Sequence, residues 1–404
     1  MPLPTPHSAA PAAADTALPP NLFFSTTAQR VGLARQRFFD EGQRPSGLVS
    51  DVVIQSWTRC NQAARAVGEA LSFNPVTRSR IDSAISRNRM LLEAGHKDLL
   101  QLQDMLAGTG CKVILTDARG IVVHVSPAQA GESRLMELAG RVGVDLSEHC
   151  VGTTAPGVVL LSGHSCTVRG AEHYFQVNHG MHCAAAPIRD VRGELAAVLD
   201  LSCEGREFQF DAAALAGLYA SAIENRLLIR QSRPFVLLRF QADPQLLFTP
   251  MEGLAAIDEA GQLLWTNAAG RSLLQAPQAP QAPRHAAGAE QLFGLKLAEL
   301  VAAARSGQWQ WHGLPNGLRL CVLVQAEAAA TRTVVALGGS PAEAPAAAPA
   351  TAEAHAQPRL RTASQQLIEQ TLAACGGNVS RAARQLGVSR GLIYRHLQPP
   401  ADAG

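Results

Sequence analysis

The last forty residues constrain the fold of this chain most sharply. Thr362 can cap a first helix, which a Gly-Gly pair at 376–377 ends. Small or apolar residues then recur at offsets 0, 3, 4 and 7 of a second helix, namely Val379, Ala382, Ala383 and Leu386. A Gly-Val-Ser turn at 387–389 leads into a third helix. Two short helices joined by such a turn predict an all-α helix-turn-helix over 359–398.

The same segment concentrates the positive charge of the chain. Six arginines and one glutamate give residues 359–398 a net charge of +5, which leaves −3 for the rest of a chain whose total is +2. Arginine can fork onto a guanine edge, and a glycine lets a helix approach the groove closely. The residues expected to contact double-stranded DNA are Arg381, Arg384, Ser389, Arg390, Gly391, Tyr394 and Arg395. A solvated basic three-helix cap is the alternative, but the turn, caps and charge together favour DNA binding.

Alanine- and proline-rich stretches divide the rest of the chain. Strand-like runs begin at 112, 121, 166 and 195, with turn residues at 117–120 and 190–193 between them, and a helical pattern covers 211–231. The predicted division is a disordered tail (1–27), a helical segment (28–105), a sensor-sized domain (106–232), a smaller domain of similar pattern (245–338), an Ala/Pro linker (339–358) and the helix-turn-helix (359–398). Strands flanked by helices predict the α+β class.

Composition excludes several classes of protein. With 404 residues, of which 47% are hydrophobic and 17% charged, the chain can form two or three globular domains. Its apolar runs fall short of the roughly 18 to 20 residues that cross a bilayer, so we expect a cytoplasmic protein with no membrane partner. Eight cysteines without a CxxC pair favour reduced thiols. None of the three lysines follows a glycine-rich phosphate-binding loop, which argues against a P-loop ATPase.

The C-terminal motif carries a family resemblance. Residues 376–398 read GGNVSRAARQLGVSRGLIYRHLQ and resemble the Fis-type helix-turn-helix that ends bacterial enhancer-binding activators. The resemblance implies a homodimer that reads inverted repeats. Leu392-Ile393 depart from the family pattern, in which threonine followed by leucine is common, so a polar contact is expected to be missing at Leu392.

Upstream segments resemble regulators of the acetoin-catabolism type. Ser50–Asn61 contains Ser-Trp-x-Arg-Cys, and 148–203 contains V-G-T, G-x-E-H, H-x-x-x-C-x-A-A-P-I and V-L-D-L-S. The resemblance implies a GAF-like sensor over 106–232 and a PAS-like domain over 245–338. Residues 154–156 and 181–182 depart from the family pattern, which implies a pocket of different specificity.

Histidine and cysteine cluster within this sensor region. Five of the twelve histidines and three of the eight cysteines fall between 149 and 183. We interpret the cluster as part of a pocket for a small organic effector, with His149, Thr153, His173, Tyr174, His179, His182 and Cys183 as candidate binding residues. A metal or haem site around 179–183 is an alternative, although the spacing matches no standard finger. A cysteine nucleophile is another, although no elbow motif supports it.

The resemblance also marks an expected difference. Family members carry an AAA+ ATPase domain between the sensor domain and the DNA-binding domain, whereas in this sequence only the linker at 339–358 occupies that position. We therefore expect a ligand-responsive transcriptional regulator that needs no cofactor, has no catalytic residue or ATPase activity, and contacts RNA polymerase or a homologue. The rival hypothesis is a protein without an effector that forms mixed dimers with an ATPase-bearing homologue.

Overall fold

The computed structural model describes residue 24 and residues 26–326 except 72, 74–75, 129–130 and 276–287. These residues belong to the first of two compact units, which ends at Gly339. Most of the predicted tail, the linker at 339–358 and the helix-turn-helix at 359–398 lie outside the described residues. Within the described ranges, every helix is too short or too polar to cross a bilayer. The described part combines helices with two antiparallel sheets, which confirms the predicted α+β class.

The first sheet domain contains helices on both faces of a five-stranded sheet. Its elements are α1 (Thr27–Arg35), α2 (Asp51–Gln62), α3 (Arg78–Arg87), α4 (Arg89–Met105), β1 (Lys112–Asp117), β2 (Val122–Val125), α5 (Arg134–Ala139), α6 (Glu148–Val151), α7 (Ala155–Ser162), β3 (Cys166–Arg169), β4 (Met181–Arg189), β5 (Leu195–Glu204) and α8 (Ala212–Gln231). The strand order is β2-β1-β5-β4-β3, and every neighbouring pair is antiparallel.

The central strand β5 is buried on both sides, and its alternating side chains separate two cores. Leu199 and Leu201 face α4 and α8, where they are fully buried. Asp200 and Ser202 face the opposite side of the sheet, toward the loops that precede β4. Because successive side chains of a strand point to opposite faces, this register brings two polar groups into the apolar interior.

Strand prediction was accurate where polar turns flank apolar runs. The Asp117 and Asp190 turns join β1 to β2 and β4 to β5, and Asp117 Oδ1 accepts from the backbone N–H groups of Arg119 and Ile121. The strand-like runs did not include β4, whose Ala-Ala-Ala-Pro sequence has weak strand propensity. Pairing with β3 on one side and β5 on the other stabilises it in the tertiary structure.

The second sheet domain follows α8. It contains β6 (Val236–Gln241), β7 (Gly253–Ile257), β8 (Leu263–Thr266), α9 (Ala268–Leu274), α10 (Ala289–Phe293), α11 (Leu297–Ser306), β9 (Gln310–Gly313) and β10 (Arg319–Ala326). The sheet order is β8-β7-β6-β10-β9, so the central strand β6 precedes the range predicted for this domain, 245–338. The rings of Phe240 and Phe293 meet edge to face in its core.

One pair of cysteines corrects the expectation that all thiols are reduced. Cys111 and Cys203 form a disulfide, with Cα atoms 4.5 Å apart. Lys112 on β1 pairs with Ser202 on β5 in the antiparallel ladder. Cys111, which precedes Lys112, therefore lies opposite Cys203, which follows Ser202. The two cysteines are 92 residues apart in sequence, which is why composition and spacing gave no sign of this pair.

A buried amide links the two sheet domains. Asn267 caps α9 by accepting from Gly270 N at 2.8 Å, and its Oδ1 also accepts from Leu254 N at 2.9 Å. Its Nδ2 donates to Asn225 Oδ1 on α8 and to the carbonyl of Glu252, both at 2.8 Å. The side chain thus makes four hydrogen bonds, and one of them joins α8 to the second sheet domain.

Replacing Asn267 by alanine is expected to lower the free energy of unfolding by about 2 to 4 kcal/mol, because the helix cap is lost and buried polar partners are left unpaired. Urea unfolding measures the change. Asn316→Ala, at an exposed turn where the amide donates to Leu273 O, is the matched control and should change stability by less than about 1 kcal/mol. Equal effects of the two substitutions would show that the buried amide has no special role.

Candidate functional site

A small cavity lies against the polar face of β5. It has a volume of ≈50 Å³. Apolar side chains form most of its wall, and they include residues 71 and 73 and residues of α5. Six polar residues, which come from the N-cap of α7, from β4 and β5 and from the loops before β4, line the rest: Thr154, His173, Asn178, Cys183, Asp200 and Ser202. The arrangement of a mostly apolar wall with a few convergent polar groups is typical of a small-molecule site.

Hydrogen-bond contacts connect four of these polar residues in one chain that runs from Asp200 through Ser202 and Cys183 to His173. Ser202 Oγ donates to Asp200 Oδ2 at 2.7 Å and lies 3.1 Å from Cys183 Sγ. His173 Nδ1 lies 2.9 Å from the carbonyl oxygen of Gly170, which can only accept, so Nδ1 carries the proton. His173 Nε2 is then an acceptor, 3.5 Å from Cys183 Sγ.

Burial shifts the pKa of each of these titratable groups in the direction that favours its neutral form. Burial lowers the pKa of His173 to about 4 because the charged imidazolium would be desolvated. Burial likewise raises the pKa of Asp200 to about 7, although the hydrogen bond from Ser202 opposes the change. The pKa of the Cys183 thiol is raised well above its ordinary value, again by burial. A thiol that stays protonated at neutral pH is a poor nucleophile.

The structure brings together at the cavity two of the seven residues predicted to bind an effector, His173 and Cys183. His149 is exposed and lines a separate outer groove beside α6 and α7. Thr153 is fully buried, and its hydroxyl lies 2.7 Å from Ser56 Oγ. Tyr174 donates its hydroxyl to the carbonyl of Arg65 at 2.6 Å.

The remaining two predicted residues, His179 and His182, do not line the cavity. His182 precedes Cys183 on β4, so strand alternation puts their side chains on opposite faces of the sheet. His179 follows the turn before β4 and is only partly buried. The metal alternative required 179, 182 and 183 to converge, and the alternation of β4 separates them. Among the residues that the structure describes, no three His, Cys, Asp or Glu side chains are grouped to hold an ion.

The outer groove is larger, at ≈350 Å³, and three arginines line it. Each of them already has an acidic partner: Arg59 pairs with Glu148, Arg65 with Glu69 and Arg119 with Asp117. These ion pairs leave little uncompensated charge to attract an anion. The groove is therefore a weaker candidate than the smaller cavity.

The Ser-Trp-x-Arg-Cys segment lies on α2 and holds that helix on the first sheet domain. Arg59 contacts both carboxylate oxygens of Glu148 at 2.6 and 2.7 Å, and Ser56 Oγ donates to the same carboxylate at 2.5 Å. Trp57 is fully buried and donates its indole N–H to the carbonyl of Glu172 at 2.7 Å. The V-G-T segment is residues 151–153, and its central Gly152 has a φ of 69°. A Cβ added at Gly152 would lie 2.7 Å from the Phe175 ring.

Sequence reasoning missed four polar residues of the cavity, Thr154, Asn178, Asp200 and Ser202. The available signal was the run Leu195–Ser202, an apolar strand with an acid and a serine at alternating positions. A strand buried on both faces reads as a continuous apolar run, so polar residues two apart within it indicate one polar spot in the core.

Comparison with known proteins gives two family matches. Residues 25–225 match the family described as MimR, N-terminal domain, and residues 359–398 match the family described as bacterial regulatory protein, Fis family. The acetoin catabolism regulatory protein of Cupriavidus necator is 29% identical over 261 residues, which cover 63% of this chain and 39% of that protein. The propane 2-monooxygenase operon transcriptional activator MimR of Mycolicibacterium smegmatis is 29% identical over 208 residues, 50% of this chain and 33% of that protein.

The chain spans only about a third of the length of these relatives. A solved chain from the crystal structure of the Escherichia coli DhaR(N)–DhaL complex aligns with 68% of this chain and 99% of its own length, at 16% identity and a TM-score of 0.43.

Proposed function

We propose that the protein is a ligand-responsive transcriptional regulator, because residues 25–225 match the MimR N-terminal domain family and residues 359–398 match the Fis family of bacterial regulatory proteins. A GAF-like domain binds a small organic effector, a PAS-like domain relays the change, and a dimeric helix-turn-helix reads DNA. The observation that carries the proposal is that one chain contains a region matching the MimR N-terminal domain family, with a small and mostly apolar cavity, and a segment matching the Fis family.

The cavity supports the sensing part of the proposal. It is lined by the central strand β5 and its neighbour β4, so a bound molecule contacts the strands on which α8 packs. The proposal assigns no catalytic residue, cofactor or ATPase activity to the protein.

Helix α8 supports the relay. Its Leu227 and Ile223 pack in the core with Leu199 and Leu201 of β5. Its Leu228 packs against the second sheet domain, and its Asn225 accepts from Asn267 there. A shift of α8 would therefore change side-chain packing in both sheet domains. A coupling free energy of roughly 1 to 3 kcal/mol is enough for typical allosteric control.

The charge of 359–398 supports the DNA-binding part. Replacing Arg390 or Arg395 by alanine is expected to reduce sequence preference, measured as the affinity for a selected fragment divided by that for a random duplex. The expected reduction is roughly 5- to 150-fold, because each bidentate contact to a base is worth about 1 to 3 kcal/mol. Replacing Arg381 or Arg384, which we assign to phosphates, should weaken both duplexes alike and reduce the salt slope by about 1.

Fluorescence anisotropy on genomic fragments selected by the full chain measures both effects, between about 50 and 200 mM salt. Equal loss on all sequences for all four variants would contradict the assignment of roles. Formation of mixed dimers with an ATPase-bearing homologue, with no change of DNA affinity on adding metabolite extracts, would favour the rival hypothesis of an effector-independent partner.

A further inference from the structure

The Cys111–Cys203 disulfide joins two connections between helices and the first sheet. Cys111 ends the connection from α4 to β1, and Cys203 lies near the end of β5, from which the chain continues to α8. Both side chains are buried in the core that α4 and α8 form with the sheet. The disulfide therefore fixes the start of β1 to the end of β5 on the side of the sheet that carries these two helices.

Hydrogen bonds join the same two connections. Arg206 follows β5, and its Nη2 donates to the carbonyl of Thr109 at 2.5 Å. At Gly110, where φ is 75°, an added Cβ would clash with this guanidinium. The β1–β5 ladder begins directly beyond the disulfide, at Lys112 and Ser202. These contacts hold the two strands together without the S–S bond, so breaking that bond is compatible with the folded state.

The proposed DNA-binding function determines the thiol chemistry that the pair meets. A protein that reads chromosomal DNA works where low-molecular-weight thiols keep most cysteines reduced, and disulfides found there are usually transient, either catalytic or redox-sensing. The five other cysteines of the described residues form no disulfide. Within that part of the chain, Cys111 and Cys203 are therefore the pair that the fold itself brings to bonding distance.

Thiol–disulfide exchange at this pair consumes two reductant thiols. Cys111 follows the turn at 106–110 and precedes the β1–β5 ladder, whereas Cys203 is held in the β4–β5 ladder opposite His182. Opening of the turn therefore exposes Cys111 Sγ first. A reductant thiolate attacks this sulfur, and the S–S bond breaks with its electron pair on Cys203 Sγ.

A second reductant thiolate completes the reduction. It attacks the reductant sulfur of the mixed disulfide and displaces Cys111 Sγ with its electron pair. The two protein sulfur atoms take up the two protons that the reductant thiols released. The products are two protein thiols and one reductant disulfide, so two electrons have passed to the protein, and oxidation is the reverse sequence.

Reduction must change the packing near the start of α8. Bonded sulfur atoms lie about 2 Å apart, and two thiols cannot approach each other so closely. Because protein cores are closely packed, neighbouring elements must take up the added separation. Leu106, which follows α4, and Ala212, the first residue of α8, belong to the same core as the two cysteines. The redox state therefore acts on the ends of both helices.

We propose that Cys111 and Cys203 form a reversible thiol–disulfide site, reduced and oxidised by a low-molecular-weight thiol and its disulfide, whose state alters the packing of the start of α8. The inference rests on the DNA-binding function proposed above, because that function places the pair among reducing thiols, and it adds a redox input. Since α8 also contacts the second sheet domain through Asn225, we expect this input to reach that domain.

Redox titration of the full chain tests the exchange. The chain is equilibrated with mixtures of reduced and oxidised glutathione, trapped with N-ethylmaleimide, digested and analysed by mass spectrometry. Cys111 and Cys203 should both be alkylated in an excess of reduced glutathione and linked to each other in an excess of oxidised glutathione, with one two-electron transition between. A pair that stays linked in an excess of reduced glutathione, or never links, would overturn the proposal.

Hydrogen exchange, followed by mass spectrometry, tests the effect on packing. After reduction, the backbone amides of 106–111 and of the first turns of α8 should exchange faster, whereas those of β10 should be unchanged. Cys111→Ser and Cys203→Ser should behave like the reduced chain in either buffer. Cys150→Ser changes a cysteine outside the pair and should respond to reduction as the unchanged chain does. A thermal melt of each variant verifies folding, and equal exchange of α8 in the oxidised and reduced unchanged chain would refute the effect.

DNA binding separates this inference from the proposed function. Affinity for a selected fragment should differ between the oxidised and reduced chains by roughly 5- to 150-fold, the usual range of allosteric coupling. The expected thiol and exchange results with equal DNA affinity in both states would support the redox site and contradict the relay through α8. A chain that binds no selected fragment in either state would contradict the proposed function, while the thiol counts and amide exchange would still decide on the redox site.

Discussion

Replacing Trp57 by alanine should lower the free energy of unfolding by about 3 to 5 kcal/mol, the range found for large aromatic residues removed from a core. The ring is fully buried, with centroids 5.5 Å from the Phe38 ring and 5.3 Å from the Phe39 ring. Its indole N–H is also the donor to the Glu172 carbonyl. The substitution therefore opens a cavity and leaves a buried acceptor unpaired between α2 and the first sheet domain.

Two further variants make this result specific, and urea unfolding followed by circular dichroism measures all three. Trp57→Phe keeps most of the apolar contact and should cost about 1 to 3 kcal/mol, mainly through the lost hydrogen bond. Trp311→Ala removes the same side chain from β9, where it is 44% exposed, and should change stability by less than about 1 kcal/mol. A Trp57→Ala protein as stable as Trp311→Ala would mean that α2 is not packed as described.

The second large effect concerns the pH dependence of stability. The folded-state pKa of Asp200, about 7, lies above the ordinary value of 3.8, so its contribution to stability is present at low pH and lost as pH rises toward 7. The free energy of unfolding of Asp200→Asn, relative to that of the unchanged chain, should therefore rise by about 3 kcal/mol between about pH 4.5 and 7. A difference of one pKa unit corresponds to about 1.4 kcal/mol. Urea unfolding at several pH values measures this difference.

His173 provides the opposite sign and so an internal control. Its folded-state pKa of about 4 lies below the ordinary 6.5, so the unfolded chain binds the extra proton and stability is lost as pH falls from 6.5 toward 4. Relative to the unchanged chain, His173→Gln should lose about 2 kcal/mol as pH rises from about 4.5 to 6.5. Parallel pH profiles for the two variants would show that these groups do not titrate as described.

Local chemistry was enough to predict the coarse organisation. The turn residues Asp117 and Asp190 mark hairpins because their side chains bond the backbone two to four residues on, whatever the rest of the chain does. A helix-turn-helix was predicted over 359–398 from caps, turn glycines and charge, its motif at 376–398 resembles the Fis type, and the Fis-family match covers 359–398. Such signals are local, since each depends on neighbours within one turn or one helix.

The binding residues could not be predicted in the same way. The predicted set was chosen by clustering in sequence, and strand alternation then sent His182 away from the cavity while keeping Cys183 in it. Asp200 and Ser202 came from another part of the chain, because β5 pairs with β4 in one register only. Proximity along the chain was therefore a poor guide to proximity in the folded protein.

The sequence by itself determined the α+β class and the hairpin turns, because propensity and turn chemistry act over a few residues, and its C-terminal motif carried the resemblance to the Fis family. Only the tertiary structure decided that Cys111 meets Cys203, that Ser56 and Arg59 clamp Glu148, and that Asp200 lines a small cavity. Those contacts join residues about 90 or more positions apart, or depend on which face of a strand is buried, and pairing register sets both.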